Sequence, residues 1–221
     1  MMKSQARAKR PYDASRRQEQ ARATRRAVVD AASRLFVRKG YAGTSADEIA
    51  AKAGVCRATV FAVGGKGDLL KLAYDFAVGG DDEEIRLVER PRSREVRAAP
   101  DARSYLRGYA GLVTDIYVRL AALHEVVRAA SHSDSEVGAL WRKINADRRR
   151  GADTIVADLR AREPLRDGLD ESSAADIVWT LNDAVHYDML VNRRGWSKER
   201  FEEWLAGALE RELLREKRRA R

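Results

Sequence analysis

TSADEIAAKAGVCRATVFAVGGK, residues 44–66, reads as two short helices joined by a tight turn. Either Thr44 or Ser45 can cap the first helix, because Asp47 and Glu48 stand three residues further on, at capping-box spacing. Ile49, Ala50 and Ala53 share one side of that helix. Gly54 stops it, since glycine takes the left-handed conformation of a helix end without a Cβ penalty. Val55 then returns to the core. The second segment, 57–62, has Val60 as its one core anchor, which leaves Arg57, Ala58, Thr59 and Phe61 on faces a small core does not cover. The pattern predicts a helix-turn-helix with an exposed second helix.

Such a pair needs a third helix to bury its apolar side. The preceding run, RRAVVDAASRLFVRKGY, supplies one: Val28, Ala32, Leu35 and Phe36 fall at i, i+4, i+7 and i+8, and Gly40 ends it.

Residues 25–70, RRAVVDAASRLFVRKGYAGTSADEIAAKAGVCRATVFAVGGKGDLL, resemble the DNA-binding domain of the tetracycline-repressor-like (TetR) family of bacterial transcription regulators. The matching marks are the AA..LF....GY helix, the TS...IA..AGV helix and turn, the T-V-F of the second helix, and the lysine that opens the next one. They cover about a fifth of the chain, and the remainder resembles the family in architecture alone. Three features depart from the pattern. Cys56 stands where a polar cap is usual, Phe61 replaces a tyrosine, and one residue is missing between Phe61 and Lys66. The resemblance implies DNA binding through Thr44, Ser45, Arg57, Ala58, Thr59, Phe61 and Lys66. Arg57 opens the second helix, whose first residues reach base edges in this motif, and a guanidinium can bond guanine at both O6 and N7.

Length and composition agree with an all-α protein. At 221 residues the chain has room for a small DNA-binding unit and a second helical domain, and only 4 prolines and 15 glycines interrupt it. No run of eighteen apolar residues and no cleavable leader is present, so a cytoplasmic location without membrane contact is expected. One cysteine and three histidines leave no metal-ligand spacing, and neither a metal nor a cofactor is expected. Cys56 is either a small helix-start residue or a redox-sensitive thiol.

The net charge of +9 is unevenly placed. Residues 1–26 carry +7, residues 211–221 carry +4, and the chain between them carries −2. A basic arm beside a helix-turn-helix is placed to neutralise phosphate, or else is simply solvated.

The expected organisation is a disordered arm over 1–20, the DNA-binding domain over 21–65, a connecting helix over 66–80, a mobile charged linker over 81–100 and a helical ligand-sensing and dimerisation domain over 101–221. Apolar spacing predicts a long helix from about Asp101. Further helices are expected over 136–162, capped by Ser133 or Ser135, over 171–191, and over 198–217.

The second domain carries polar aromatics on its apolar stripes, where Leu, Ile and Val would serve packing alone. Tyr105, Tyr109, Trp141, Trp179, Asn182 and His186 are candidates to line a small-molecule site, the alternative for each being ordinary core. The resemblance implies that the last two long helices pair in a homodimer; Leu181, Val185, Trp204, Leu205 and Ala208 are the expected contacts. A two-fold dimer reads a palindromic duplex. SHSDSE, residues 131–136, offers Ser, His and Asp in a row but lacks a framed nucleophile and an oxyanion hole, so no enzyme is expected. The expected function is a repressor released from a palindromic operator by an unidentified small-molecule effector. The alternative is a DNA-binding regulator without a ligand, constitutive or controlled by a protein partner.

Overall fold

The structure, a computed structural model, describes residues 11–83 and 85–215, with side chains from Ser15 onward. Its helices are α1 (Pro11–Lys39), α2 (Ala46–Ala53), α3 (Arg57–Val63), α4 (Lys66–Gly79), α5 (Pro91–Arg97), α6 (Ala102–Ala130), α7 (Ser135–Arg160), α8 (Glu171–Leu181), α9 (Ala184–Tyr187), a π-helical turn (Asp188–Arg193) and α10 (Lys198–Leu213). The expected all-α class is found. Among the described residues no helix is long and apolar enough to cross a membrane.

The first three helices bury Val28, Val29, Leu35, Phe36, Ile49 and Val60 against one another, and α4 closes this small core with Leu69 and Leu70. One further turn along α4, Ala73 and Tyr74 enter the core of the second domain, so the two cores form a single apolar cluster. α6 is the spine of that second domain, burying Tyr105, Leu106, Tyr109, Tyr117, Leu120, Leu123 and His124. α10 packs on it through Phe201, Leu205, Leu209 and Leu213, each fully buried.

Four expectations are corrected. Residues 11–20 are not a disordered arm but the first turns of α1; the rest of that arm lies outside the described residues. Few apolar side chains made the segment look unstructured. Arg, Gln, Glu and Ala are nonetheless good helix formers, and an existing helix extends at little cost. Arg22 ties the extension down, donating to Asp82 at 2.6 and 2.7 Å from beyond the C-terminal end of α4.

The segment 81–100 is not a loose linker either. Arg90 grips Asp81 at 2.7 and 2.9 Å, Pro91 starts α5 at its first position, and Ser93 and Val96 are buried. The charges that suggested solvation are paired with arginines. At the start of α7 the cap is Asp134, which accepts from the amides of Glu136 and Val137, rather than either neighbouring serine.

The fourth correction shapes the site. The single helix expected over 171–191 is broken at Asn182, whose φ/ψ of −84°/58° ends α8, and Asp183 caps α9 by accepting from Val185 N–H at 2.9 Å. The carbonyls freed at this break bond to Arg148 of α7 instead of to the next turn.

Candidate nucleic-acid interface and sensor site

The reading head is set by two caps and one anchor. Ser45 accepts from Glu48 N–H while the Glu48 carboxylate accepts from Ser45 N–H at 3.0 Å, a complete capping box worth about 1 kcal/mol per satisfied cap. Glu48 also pairs with Lys39 at the end of α1, and these bonds hold its carboxyl down at about 2. Gly54 takes φ +69° to end α2, as its position predicted. α3 is then held by Val60, 1% exposed, a burial that contributes about 1.5–3 kcal/mol.

That one anchor leaves Arg57, Ala58, Phe61 and Ala62 outward, with Phe61 54% exposed. Arg57 lies over the Phe61 ring at 5.4 Å and pairs with Asp47 of α2 at 3.1 Å. Thr59 is half-buried, its hydroxyl 3.1 Å from the Cys56 sulfur. As the sequence suggests, Cys56 makes no capping bond to the amides of α3. That short contact with Thr59 lowers the thiol below its ordinary value. Lys66 opens α4 with its ammonium 4.3 Å from the centre of the Tyr41 ring. The Asp68 carboxylate accepts from Gly65 N–H at 3.0 Å and fixes the α3–α4 corner.

Thr44 is the exception among the expected contacts. It is 3% exposed and its hydroxyl donates to Gly40 O at 2.9 Å, so it shapes the turn before α2 and presents nothing to DNA. Asp47, which the sequence offers only as a capping carboxylate, and Tyr41 hold the two basic residues in place.

The second domain has a polar centre. Arg148, reaching in from α7, donates from Nε to Asn182 O at 3.1 Å, from one terminal nitrogen to Asn145 Oδ1 at 3.0 Å, and from the other to Trp179 O at 2.8 Å. Its guanidinium lies 5.2 Å from the centre of the Trp179 ring and pairs with Asp183 at 3.0 Å. Asp183 in turn faces His124 Nε2 at 3.4 Å, and His124 Nδ1 meets the Tyr74 hydroxyl at 3.0 Å. Burial alone would raise the Asp183 carboxyl, but the His124 N–H, the Arg148 charge and the Val185 amide hold it at about 2. Tyr117 donates to Asn182 Oδ1, Tyr109 bonds the same side chain, and burial pushes both phenols up. Trp141 stands edge-on to His124 at 5.1 Å.

Tyr109, Trp179 and Asn182 lie around Arg148, and Trp141 joins this group through His124. Tyr105 and His186 lie apart. Tyr105 donates to Asp158 at 3.3 Å under the guanidinium of Arg162, and Asp158 lies ten residues, about 15 Å, along α7 from Arg148. His186 meets Thr180 O at 3.0 Å and packs edge-on to Trp204 at 5.9 Å, because the break at Asn182 turns α9 toward α10. Sequence reasoning missed Tyr74, His124, Arg148 and Asp183. The Asn-Asp pair carried a helix-cap signal; Arg148, within a run of three arginines, carried none. A cleft of about 210 Å³ lies elsewhere, between Arg26, Val29, Ala73, Phe76 and Arg119 on the seam of α1, α4 and α6.

Among the expected dimer contacts, Leu181, Val185 and Trp204 are half-buried in the single chain. Leu205, fully buried, and Ala208, 7% exposed, face their own core and are withdrawn from an interface. The amphipathic stripe of α10 is used up against α6.

A helix-turn-helix whose recognition helix stands on one valine, joined through α4 to a larger helical domain with a polar centre, defines a DNA-binding regulator of two parts. Residues 28–63 match the model of the bacterial regulatory proteins of the tetR family. No curated protein sequence matches the chain. Solved structures share the fold over most of its length. One is NalD of Pseudomonas aeruginosa, the secondary repressor of the MexAB-OprM multidrug efflux pump, at 21% identity and TM-score 0.63 over 88% of this chain and 98% of that one. A second is a protein of Saccharomonospora viridis described as a transcriptional regulator and solved with choline, at 20% identity and TM-score 0.65 over 87% and 98%. A third is FadR of Bacillus subtilis in complex with stearoyl-CoA, at 18% identity and TM-score 0.61 over 83% and 96%.

Proposed function

We propose that the chain is a ligand-responsive repressor that binds a palindromic operator as a homodimer and leaves it when a small molecule enters the second domain. The observation that carries this reading is the chain of polar contacts from Arg148 through Asp183 and His124 to Tyr74, because Tyr74 belongs to α4, the helix on which the reading head is built. A ligand that rearranges the polar centre acts directly on that helix. Two structures of the same fold are complexes with choline and with stearoyl-CoA, which supports a small-molecule effector.

In this reading Arg57 contacts bases, Ser45, Thr59 and Lys66 contact the backbone, and Ala58 and Phe61 lie against the groove. Leu181, Val185 and Trp204 pair with a second copy. The effector binds the released form several-fold more tightly than the DNA-bound form, a coupling of about 1–3 kcal/mol.

The test is a metabolite screen by thermal shift, followed by titration of each hit into the protein–operator complex. A ligand present at a hundred times its Kd stabilises by about 2.7 kcal/mol. Hits that also weaken operator binding support the reading. Hits that leave operator affinity unchanged overturn it in favour of a regulator that takes no effector.

A further inference from the structure

The groups that meet the head of Arg148 are of one kind. They are the carbonyls of Trp179 and Asn182, the amide oxygen of Asn145 and the carboxylate of Asp183, with the face of Trp179 alongside. Every atom is an acceptor, and an indole face presents its negative quadrupole. The two carbonyls also end α8, where the helix dipole places negative charge.

An anion entering here would have to pull the guanidinium from Asp183 and would face two carbonyl oxygens end-on. A cation would find each partner already oriented. The enclosure is incomplete, since the Arg148 and Asp183 side chains remain 14% and 23% exposed. Beside the head, the buried Trp179 Nε1 has no hydrogen-bond partner among the described residues. A buried donor without an acceptor marks a place where the protein's own groups do not finish the site.

We propose that the effector is an organic cation, a guanidinium or alkylammonium compound, whose charged head replaces that of Arg148 at Asp183 and the end of α8. Arg148 is the internal stand-in for that ligand. The proposal rests on the ligand-responsive reading above and specifies its chemistry. When the cation binds, Arg148 swings outward along α7, where its head is hydrated while its stem stays on apolar surface. The tie between α7 and the α8–α9 break is then lost. Asp183, now partnered by the ligand's charged head in place of Arg148, shifts against His124, and that shift reaches α4 through Tyr74. An acceptor elsewhere on the ligand can accept a hydrogen bond from Trp179 Nε1–H.

The full-length protein is titrated calorimetrically with methylguanidinium, tetramethylammonium, acetate and octanoate, each against sodium chloride at equal ionic strength. The expected result is binding of the two cations and not of the two carboxylates, with at least tenfold weaker cation binding in Asp183→Asn. Arg148→Ala leaves the acceptors unoccupied and is expected to bind methylguanidinium at least tenfold more tightly than the wild type, with a rise in Tm. Should that variant not fold, Arg148→Lys, whose smaller ammonium makes fewer of the bonds, is expected to bind methylguanidinium more tightly than the wild type. Binding of octanoate that releases operator DNA, without cation binding, overturns the cationic ligand while leaving a ligand-responsive regulator. Cation affinities unchanged in Asp183→Asn place the ligand elsewhere and also overturn it. No binding by any probe to wild type or to the Arg148 variants overturns it as well, and the metabolite screen then decides separately whether the regulator takes an effector.

Discussion

Arg148 and Asp183 meet at 3.0 Å across the break between α8 and α9, and the same carboxylate reaches back to His124 on α6. One ion pair therefore ties three helices of the second domain to the tyrosine of α4. The carboxyl titrates at about 2, below its ordinary 3.8. A carboxyl depressed in the folded state contributes stability that is full above its unfolded value and is lost as pH falls through the folded one. Here that window runs from about pH 4 to about pH 2, and the contribution is on the order of 2 kcal/mol. Urea unfolding is expected to show Asp183→Asn less stable than the wild type at pH 6, with the gap about halved at pH 3. A gap that is independent of pH would show that Asp183 acts by shape alone.

At the α3–α4 corner, two adjacent glycines are expected to respond differently. A Cβ on Gly64 would stand 2.7 Å from the Asp68 Cβ, whereas one on Gly65 would meet nothing closer than the Asp68 carboxylate at 3.6 Å. Gly64→Ala is therefore expected to cost about 1–3 kcal/mol by forcing the corner open. Gly65→Ala is expected to cost much less. Chemical denaturation of the pair checks this, and equal losses would mean the corner yields.

The dimer is expected to depend on Leu181 and Trp204 rather than on Leu205. Leu181→Arg is expected to give a folded monomer by sedimentation. Leu205→Arg places a charge in the core under α10 and is expected to cost several kcal/mol of folding stability. A folded dimer from Leu205→Arg would mean that α10 does not sit on α6 as described.

Arg57 and Lys66 are expected to fail differently on DNA. Arg57→Ala is expected to cost about 1–3 kcal/mol on the operator and relax preference at one base pair, while Lys66→Ala weakens all sequences alike and lowers the salt slope by about one. Asp47, 3.1 Å from the Arg57 guanidinium, is expected to compete with DNA for it. Asp47→Ala is expected to tighten binding to every duplex. Affinities across a panel of single-base operator variants distinguish the three substitutions. A uniform loss in Arg57→Ala would assign base reading to another residue.

The reading head was legible because its signals are local. The Ser45–Glu48 box and the positive φ of Gly54 are written within a few residues of each other, and both are found where the sequence places them. The break at Asn182 was not legible, because the apolar spacing through Ile177, Val178, Leu181 and Val185 continues undisturbed across it. What stabilises the break is an arginine thirty-four residues earlier, and no window around Asn182 contains it. The same limit hid the anchoring of the α1 extension, which rests on Asp82 sixty residues away. Leu205 and Leu181 illustrate a different one. Helical spacing shows that a face is apolar and not whether it covers its own core or a second copy.

The DNA that the protein selects is the most direct test of a two-fold, sequence-reading regulator. Repeated enrichment of bound duplexes from a randomised pool, followed by sequencing, is expected to yield one palindromic site whose half-sites lie about one helical turn apart or a multiple of it. The same enrichment with Arg57→Ala is expected to lose preference at one base pair in each half. A pool that stays random, or a site without two-fold symmetry, would contradict the account.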